Sequence, residues 1–278
     1  QHWEGIYDAS RYGSCSYQPR AFYDEEQNLK KIFYYYEFRK GETYTYSEDC
    51  LFLNIFAPET AKEGSGLPVL LYIHGGGFTG GCGHEKHFDG PVWPAKGIIG
   101  VTINYRLGPM GFVTLPELEA EQGGFAGNYG LHDQLTAIRW VKRNIAAFGG
   151  DPDNIPIMGQ SAGAMSVQQH LLSPLSQGLF RRAVLSSGGG VSKLMPSGKK
   201  ETAQAFWAQC MKNAGCESLQ AFRCLTPERL FEVWQQTRKE VKGGNCFPVA
   251  DGRFVTGNSE LGRDIPCMMG PTSEDMMP

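Results

Sequence analysis

The hydrophobic positions along the chain change their period several times, and each change predicts an element. Runs that are apolar at nearly every position predict strands buried on both faces of a sheet, at 69–73, 97–104, 155–158 and 182–186. Residues 51–55 alternate between apolar and polar, which predicts a further strand. From Gly130 onward, apolar residues recur every three or four positions, so an amphipathic helix is predicted that ends at 149–152.

Helical segments are also predicted between and after these strands. One runs from about 162 to 172, and residues 200–240 have helical periodicity. Strands that alternate with helices favour a mainly parallel α/β sheet. We find no internal repeat and no low-complexity linker, so residues 1–278 are interpreted as part of one domain.

One of the predicted strands ends in a pattern that carries chemistry. Residues 159–163 read GQSAG and fit G-x-S-x-G, a sharp strand-to-helix turn that exposes the nucleophile, here Ser161. The following helix would set its positive N-terminal end beside Ser161. An ordinary turn is the alternative, because glycine is abundant in this chain, at 36 residues.

A second glycine-rich segment, HGGG at 74–77, follows the predicted strand at 69–73. Its unshielded backbone N–H groups suit the negative oxygen of a tetrahedral intermediate. We therefore predict an oxyanion hole formed by Gly76 and Gly77, with Ala162 as the third donor. A phosphate-binding loop is the weaker alternative, because the segment lacks the Lys-Ser/Thr of a P-loop and does not fit G-x-G-x-x-G.

These motifs and several others resemble the type-B carboxylesterase family, which includes the cholinesterases and many bacterial esterases. Residues 47–54 resemble its S-E-D-C-L-x-L-N signature, and residues 148–152 with 159–163 resemble its F-G-G-D-P…G-x-S-A-G signature. Arg106 and Glu48 resemble its structural salt-bridge residues. The resemblance covers almost the whole chain. It implies an α/β-hydrolase fold, with a mostly parallel central sheet flanked by helices, incomplete at both ends.

The resemblance also implies a catalytic triad, with Ser161 as the nucleophile. The family's acid follows a strand in G-x-x-x-x-E, and Asp275 stands at that fifth position after Gly270. The family usually has glutamate there, so the adjacent Glu274 is the alternative. Successive residues at a strand end point in opposite directions, and only one of the two can face the base. We predict Asp275.

The general base of the triad is not found in the sequence. In the order serine, acid, histidine, the base follows the acid, but the chain ends three residues after Asp275. Only His170 follows Ser161, on the same predicted helix, and His74 is assigned to support of the glycine loop. We therefore predict that residues 1–278 are an internal fragment, lacking the N-terminal strands and the part that carries the catalytic histidine. Such a fragment is not catalytically complete.

Composition and charge narrow the classes of partner. The net charge is −3 and 20% of the residues are charged, so the chain is not expected to attract nucleic acid or an anionic membrane. No run of about 18 apolar residues occurs, so no membrane span is predicted. The resemblance implies a small uncharged ester as substrate and no cofactor. It leaves the oligomeric state open.

The eight cysteines allow two interpretations. Their even number suits disulfides, and buried free thiols in a reducing compartment are the alternative. The resemblance implies the pairs Cys15–Cys50 and Cys216–Cys224, which favour a secreted protein slightly over a cytoplasmic one. There is no CxxC, and His and Cys do not cluster along the sequence as zinc ligands do, so no metal site is predicted.

Other functions on the same fold are weighed against ester hydrolysis. Non-catalytic, neuroligin-like adhesion proteins typically lose a triad member, whereas this chain keeps Ser161 and its glycines. Cholinesterase activity is disfavoured because Gln160 stands where cholinesterases have glutamate. A peptidase is disfavoured because the signature motifs are those of esterases. Phe78, Phe112 and Phe125 are candidate pocket walls, with ordinary core packing as the alternative.

Overall fold

The computed structural model describes residues 5, 7–21, 26–29, 32–86, 88, 92–189, 198–241, 244, 246–256 and 264–273. Within these ranges the strands are β1 (Leu53–Phe56), β2 (Val69–Ile73), β3 (Ile99–Ile103), β4 (Pro156–Gln160), β5 (Arg182–Ser186) and β6 (Cys267–Gly270). They form one sheet in the order β1-β3-β2-β4-β5-β6. β1 is antiparallel to β3, and the other neighbouring strands are parallel. The predicted mainly parallel sheet is therefore confirmed.

The helices in the described residues fall between the strands and in the segment between β5 and β6. They are α1 (Ile32–Tyr34, continued by a π-helical turn at Tyr35–Arg39), α2 (Gly108–Phe112), α3 (Pro116–Glu121), α4 (Tyr129–Asn144), α5 (Ala162–Leu172), α6 (Lys200–Asn213), α7 (Leu219–Arg223) and α8 (Pro227–Glu240). Short 3-10 turns lie at Pro19–Ala21, Pro94–Lys96, Ile145–Phe148 and Pro174–Ser176. None of the described helices has the length and apolar character that crossing a membrane requires.

The core lies where the hydrophobic pattern predicts it. All five residues of β3 and four of the five in β2 are buried. The apolar face of α4 is buried as well, through Leu131, Leu135, Ile138 and Val141. Continuous apolar runs therefore form the centre of the sheet, and the residues of α4 spaced by three and four form the layer that covers it.

The largest differences from the expected elements lie in α2 and α3, which the sequence did not predict. α2 contains two glycines and a proline, residues that disfavour helices in isolation. Its turns form because the chain is packed tightly there against a distant helix: a Cβ atom on Gly108 would lie 2.9 Å from Cε1 of Phe231 in α8. Tertiary packing, rather than helix propensity, determines this segment.

The parallel register brings several segments to one edge of the sheet. Gln160 at the end of β4 is paired with Ser186, and Ser186 is paired with Gly270. In the next strand, Ile73 is paired with Gly159. The glycine loop after β2, the serine turn after β4 and the segment after β6 therefore leave the sheet at the same edge, where α/β folds place their ligand sites.

Candidate active site

Ser161 has an unusual backbone conformation at the junction of β4 and α5. Its φ is 55° and its ψ is −123°, a region that residues other than glycine rarely adopt. The Ser161 N–H donates to the Ser186 carbonyl at 3.0 Å, and the Ser161 carbonyl accepts from the Met165 N–H at 3.0 Å. The strained residue is thus held from both sides, by β5 and by α5, as the predicted elbow requires.

The two glycines of the serine motif are required by backbone contacts. A Cβ atom on Gly159 would lie 2.3 Å from the carbonyl carbon and oxygen of Gly163. A Cβ atom on Gly163 would lie 2.0 Å from the Ile73 carbonyl oxygen at the end of β2. Because these contacts are with backbone, no side-chain movement could relieve them. The motif therefore lets α5 turn back directly against β4 and β2.

The glycine loop lies against this turn. A Cβ atom on Gly75 would come within 2.6 Å of the Gln160 carbonyl oxygen and 3.2 Å of the Ser161 Cβ. Gly76 and Gly77 have φ values of 105° and 62°, and both are exposed. Within the described residues, neither of their N–H groups donates to a protein acceptor. The loop thus presents backbone donors to solvent next to the serine turn.

Ala162, the third expected donor, is the first residue of α5 and is 2% exposed. The N–H groups in the first turn of a helix have no acceptor within the helix. α5 runs for 11 residues, so its N-terminal end carries a positive partial charge beside Ser161. The geometry is compatible with a developing negative charge at this point.

His74 is fixed within the glycine loop. It is 1% exposed, and its Nδ1 lies 2.8 Å from the Gly75 carbonyl oxygen. Its ring stacks on Tyr105 with the centroids 4.4 Å apart, and the Tyr105 hydroxyl donates to the His74 carbonyl at 2.9 Å. These contacts tie the histidine to the loop backbone and to the segment after β3.

His170 is held by other partners inside the protein. Its Nδ1 lies 2.8 Å from Ser176 Oγ, and its Nε2 lies 3.2 Å from Gln134 Oε1. Burial, followed by the nearby His132, lowers the pKa of His170 to about 3. Neither ring nitrogen is therefore available to Ser161, and the imidazole is neutral at physiological pH.

The base and the acid of the triad are not placed by the structure. Of the six histidines, those at 2 and 87 lie outside the described residues, and none of the hydrogen bonds of the other four reaches Ser161. Asp275 and Glu274 also lie outside the described residues. The described part of this segment ends just before them, and the Ser187 N–H donates to the Gly270 carbonyl at 3.0 Å. The assignment of Asp275 as the acid, with Glu274 as the alternative, therefore stays a prediction.

The ion pair of Arg106 differs from the sequence expectation. Its partner is Asp133 in α4, and Glu48 makes no ion pair with it. Arg106 Nε lies 2.8 Å from Asp133 Oδ2 and Nη2 lies 2.8 Å from Oδ1, while the backbone N–H of Arg106 donates to Oδ2 at 3.0 Å. Asp133 faces inward from the start of α4, so this pair joins the segment after β3 to that helix.

Two of the three candidate pocket aromatics belong to the core. Phe78 is fully buried and packs edge-to-face on Phe112 with the centroids 5.1 Å apart. Phe112 is itself 2% exposed. Phe125 is half-buried, and the guanidinium of Arg253 lies 5.0 Å from its ring centroid. Core packing, the alternative interpretation, therefore accounts for Phe78 and Phe112.

The cysteines also differ from the expectation. All eight are free thiols in the structure, so neither Cys15–Cys50 nor Cys216–Cys224 is bonded. Cys15 lies instead with Cys82 and His84, whose ligand atoms are within 4.8 Å of its own. The sequence argument, which found no grouping of histidine and cysteine typical of zinc ligands, did not foresee this group in space. It missed this group because Cys15 is distant along the chain, although Cys82 and His84 are only two residues apart.

Comparison with known proteins agrees with these motifs. The sequence model described as "Carboxylesterase family" matches residues 1–277. Para-nitrobenzyl esterase of Bacillus subtilis is 39% identical over 286 residues, which cover 98% of this chain and 54% of that protein. Bile salt-activated lipase of Rattus norvegicus is 42% identical over 228 residues, covering 75% of this chain and 36% of the lipase. The chain thus spans about half or less of these relatives.

Solved structures give the same answer for the fold. A carboxylesterase of Geobacillus stearothermophilus superimposes with a TM-score of 0.79 at 35% identity, over 98% of this chain and 52% of that one. A structure described as PNB esterase gives a TM-score of 0.76 at 33% identity, over 98% of this chain and 54% of its own. The expected α/β-hydrolase fold is confirmed, and the chain belongs to the carboxylesterase family.

Proposed function

We propose that this chain is the nucleophile-bearing part of a serine carboxylic ester hydrolase. The observation that carries the proposal is the backbone of Ser161, which stands at φ 55° with the glycine loop packed against it. A strained residue persists where the surrounding structure gives it a use. The elbow exposes the serine oxygen, and the loop brings backbone donors within reach of the same substrate atom.

The proposed reaction begins with attack of Ser161 Oγ on the carbonyl carbon of an ester. A histidine from outside the described residues takes the serine proton and returns it to the leaving alcohol. The carbonyl oxygen becomes negative in the tetrahedral intermediate and accepts from the N–H groups of Gly76, Gly77 and Ala162. Loss of the alcohol leaves an acyl-enzyme on Ser161, and water releases the acid by the same steps.

The triad acid has the task of orienting that histidine and stabilising its positive charge. We propose Asp275 for this role, with Glu274 as the alternative. The register supports an acid in this segment, because Gly270 is paired with Ser186, and Ser186 is paired with Gln160 immediately before the nucleophile. The described residues after Gly270 therefore leave the sheet at the same edge as the serine turn, and the two carboxyl residues follow them in the sequence.

The proposed substrate is a small uncharged ester, and no metal or cofactor takes part in the acyl transfer. The names of the relatives support esters as the class, since they include a para-nitrobenzyl esterase and bile salt-activated lipases.

Active-site labelling of the full-length protein tests this proposal. A fluorophosphonate probe should label the wild-type protein, and Ser161→Ala should abolish labelling and reduce hydrolysis of p-nitrophenyl acetate by about 10⁴-fold or more. Ser65→Ala is the matched control, because Ser65 lies in an exposed turn between β1 and β2, and it should label normally. A folded protein that does not label, or labels equally well without Ser161, would favour a non-catalytic binding protein.

A further inference from the structure

A buried group of two thiols and one imidazole lies directly after the glycine loop. Cys15, Cys82 and His84 are 0%, 1% and 8% exposed, and their ligand atoms lie within 4.8 Å of one another. Cys15 belongs to the N-terminal segment, 69 residues before His84. Two distant parts of the chain thus bring together three donors of the types that bind zinc.

The distances within this thiol–imidazole cluster suit a single metal ion. Cys15 Sγ lies 3.6 Å from His84 Nε2. With a Zn–S bond of about 2.3 Å and a Zn–N bond of about 2.1 Å, two ligands at the tetrahedral angle lie roughly 3.6 Å apart. A thiol–imidazole hydrogen bond has a similar length. A hydrogen bond between Cys15 and His84 would need only those two residues. The sulfur of Cys82 lies close to both atoms and supplies a third donor, as a metal site requires.

The histidine ring is already held in place for binding. It stacks on Tyr12 with a centroid distance of 4.6 Å and an interplanar angle of 10°. It also stacks on Tyr44 at 5.5 Å and 23°. A ligand whose orientation is fixed in advance loses little conformational freedom on binding. His84 therefore offers Nε2 in the direction of the thiols without rearrangement.

Charge selects a divalent ion for this site. Two thiolates carry two negative charges, which a divalent cation cancels, whereas a monovalent copper ion would leave a buried net charge. Because cysteine binds a metal ion as the thiolate, binding of the ion at this site releases the thiol protons.

We propose that Cys15, Cys82 and His84 bind a Zn²⁺ ion, which clamps the N-terminal segment to the end of the glycine loop. Hydrogen bonds already join these two parts. Gln18 Oε1 accepts from the Gly81 N–H at 3.0 Å, and Asn104 accepts from the Gly83 N–H at 2.8 Å while donating to the Ser14 carbonyl at 3.1 Å. The proposal does not rest on the esterase activity.

Metal content of the reduced, purified protein tests the site. After incubation with Zn²⁺ and dialysis, the wild type should retain about one zinc ion per chain by mass spectrometry. Cys82→Ser and His84→Gln should each retain far less. Cys267→Ser is the control, because Cys267 is exposed in β6 and distant from the cluster in sequence, and it should retain zinc as the wild type does. Co²⁺ in place of Zn²⁺ should give a thiolate-to-metal charge-transfer band that Cys82→Ser removes.

A second measurement keeps the test decisive if a variant fails to fold. A chelator should lower the melting temperature of the wild type, and added Zn²⁺ should restore it. Folded wild-type protein that retains no zinc and gives no cobalt charge-transfer band would overturn the proposal. So would peptide mapping without reduction that finds Cys15 bonded to Cys50 or to Cys82.

Discussion

The serine turn and the C-terminal end of the glycine loop are held by opposite means. At the turn, bare backbone packs on backbone, and the position of the Gly163 Cβ would be 2.0 Å from the Ile73 carbonyl oxygen. On the other side of the loop, a buried side chain holds the backbone: Gln18 accepts from the Gly81 N–H and donates to the Gly81 carbonyl at 3.1 Å. The first arrangement tolerates no added atom, whereas the second depends on atoms that must not be removed.

The largest effect is expected from adding one methyl group at the turn. Gly163→Ala should destabilise the protein by about 4 kcal/mol or more, because its Cβ meets backbone that cannot move aside. Soluble yield and fluorophosphonate labelling should both fall steeply. Urea unfolding followed by circular dichroism measures the stability of any folded protein that is recovered.

The control for that substitution is a glycine with ordinary space around it. A Cβ on Gly198 would have its nearest contact at 3.6 Å, with Val249 Cγ1. Gly198→Ala should change the unfolding free energy by no more than about 0.5 kcal/mol. If Gly163→Ala is equally mild, the turn is not held by backbone contact, and the comparison with the side-chain clamp fails.

The ion pair of Arg106 with the buried Asp133 should give the next largest effect. Arg106→Ala leaves the Asp133 carboxylate, 6% exposed, without its bidentate partner, and the expected loss of stability is about 3 kcal/mol. Arg223→Ala is the control, because its ion pair with Glu121 lies at the surface. That variant should unfold at the same urea concentration as the wild type. Equal losses of stability in Arg106→Ala and Arg223→Ala would contradict the expectation that an ion pair with a buried partner contributes more than one at the surface.

The buried imidazole of His170 makes stability depend on pH. Burial lowers its folded-state pKa from 6.5 to about 3. Between these two pKa values the unfolded chain binds a proton at His170 and the folded protein does not. The free energy of unfolding therefore falls by about 1.4 kcal/mol for each unit by which the pH is lowered from about 6.5 towards 3. Urea midpoints measured between pH 6 and pH 4 should show this slope.

The matched variant for the pH experiment is His170→Gln, which keeps a polar side chain but cannot be protonated. Its free energy of unfolding at pH 7 is expected to be lower. Between pH 6 and pH 4, the change of that free energy with pH should become smaller by about 1.4 kcal/mol per pH unit, which corresponds to one proton. His132→Gln should change the slope less, because His132 is only half-buried and its pKa, lowered by burial, is partly raised again by Asp251. An unchanged slope in His170→Gln would show that His170 is not held neutral.

The smallest effect is expected at the side-chain clamp itself. Gln18 is fully buried, and Gln18→Ala leaves the backbone N–H and carbonyl of Gly81 without partners, at a cost of about 2 kcal/mol. Gln236→Ala, on the exposed face of α8, should cost nothing measurable. If Gln18→Ala lowers the free energy of unfolding more than Gly163→Ala does, the Gln18 contact, and not the serine turn, is the more sensitive of the two regions.

Local sequence patterns predicted the central part of the fold. β2 and β5 occupy the predicted ranges, and α5 spans the predicted 162–172, because apolar runs and helical periodicity reflect burial directly. The elbow was predicted for the same reason: its glycines, strand and helix are adjacent along the chain. α2 was not predicted, since its turns depend on packing against distant residues.

Side-chain partners were predicted less well than backbone shape. The sequence suggested Arg106 and Glu48 as salt-bridge residues. In the structure the partner of Arg106 is Asp133, 27 residues later in the chain. The cluster of Cys15 with Cys82 and His84 was also missed. A spacing argument detects ligands that are close in sequence, and the position of Cys15 is decided by tertiary contacts such as those of Gln18 and Asn104.

The position of β6 has a consequence for the order of folding. β6 pairs only with β5 in the described sheet, and all four of its residues are exposed. About 80 residues separate these two strands, so their pairing closes a long loop and is expected to be slow compared with the local β4–α5 turn. The proposed nucleophile would then be in place before the strand that precedes the proposed acid has docked. If Asp275 or Glu274 is the acid, Ser161 would reach its full reactivity only after this late pairing.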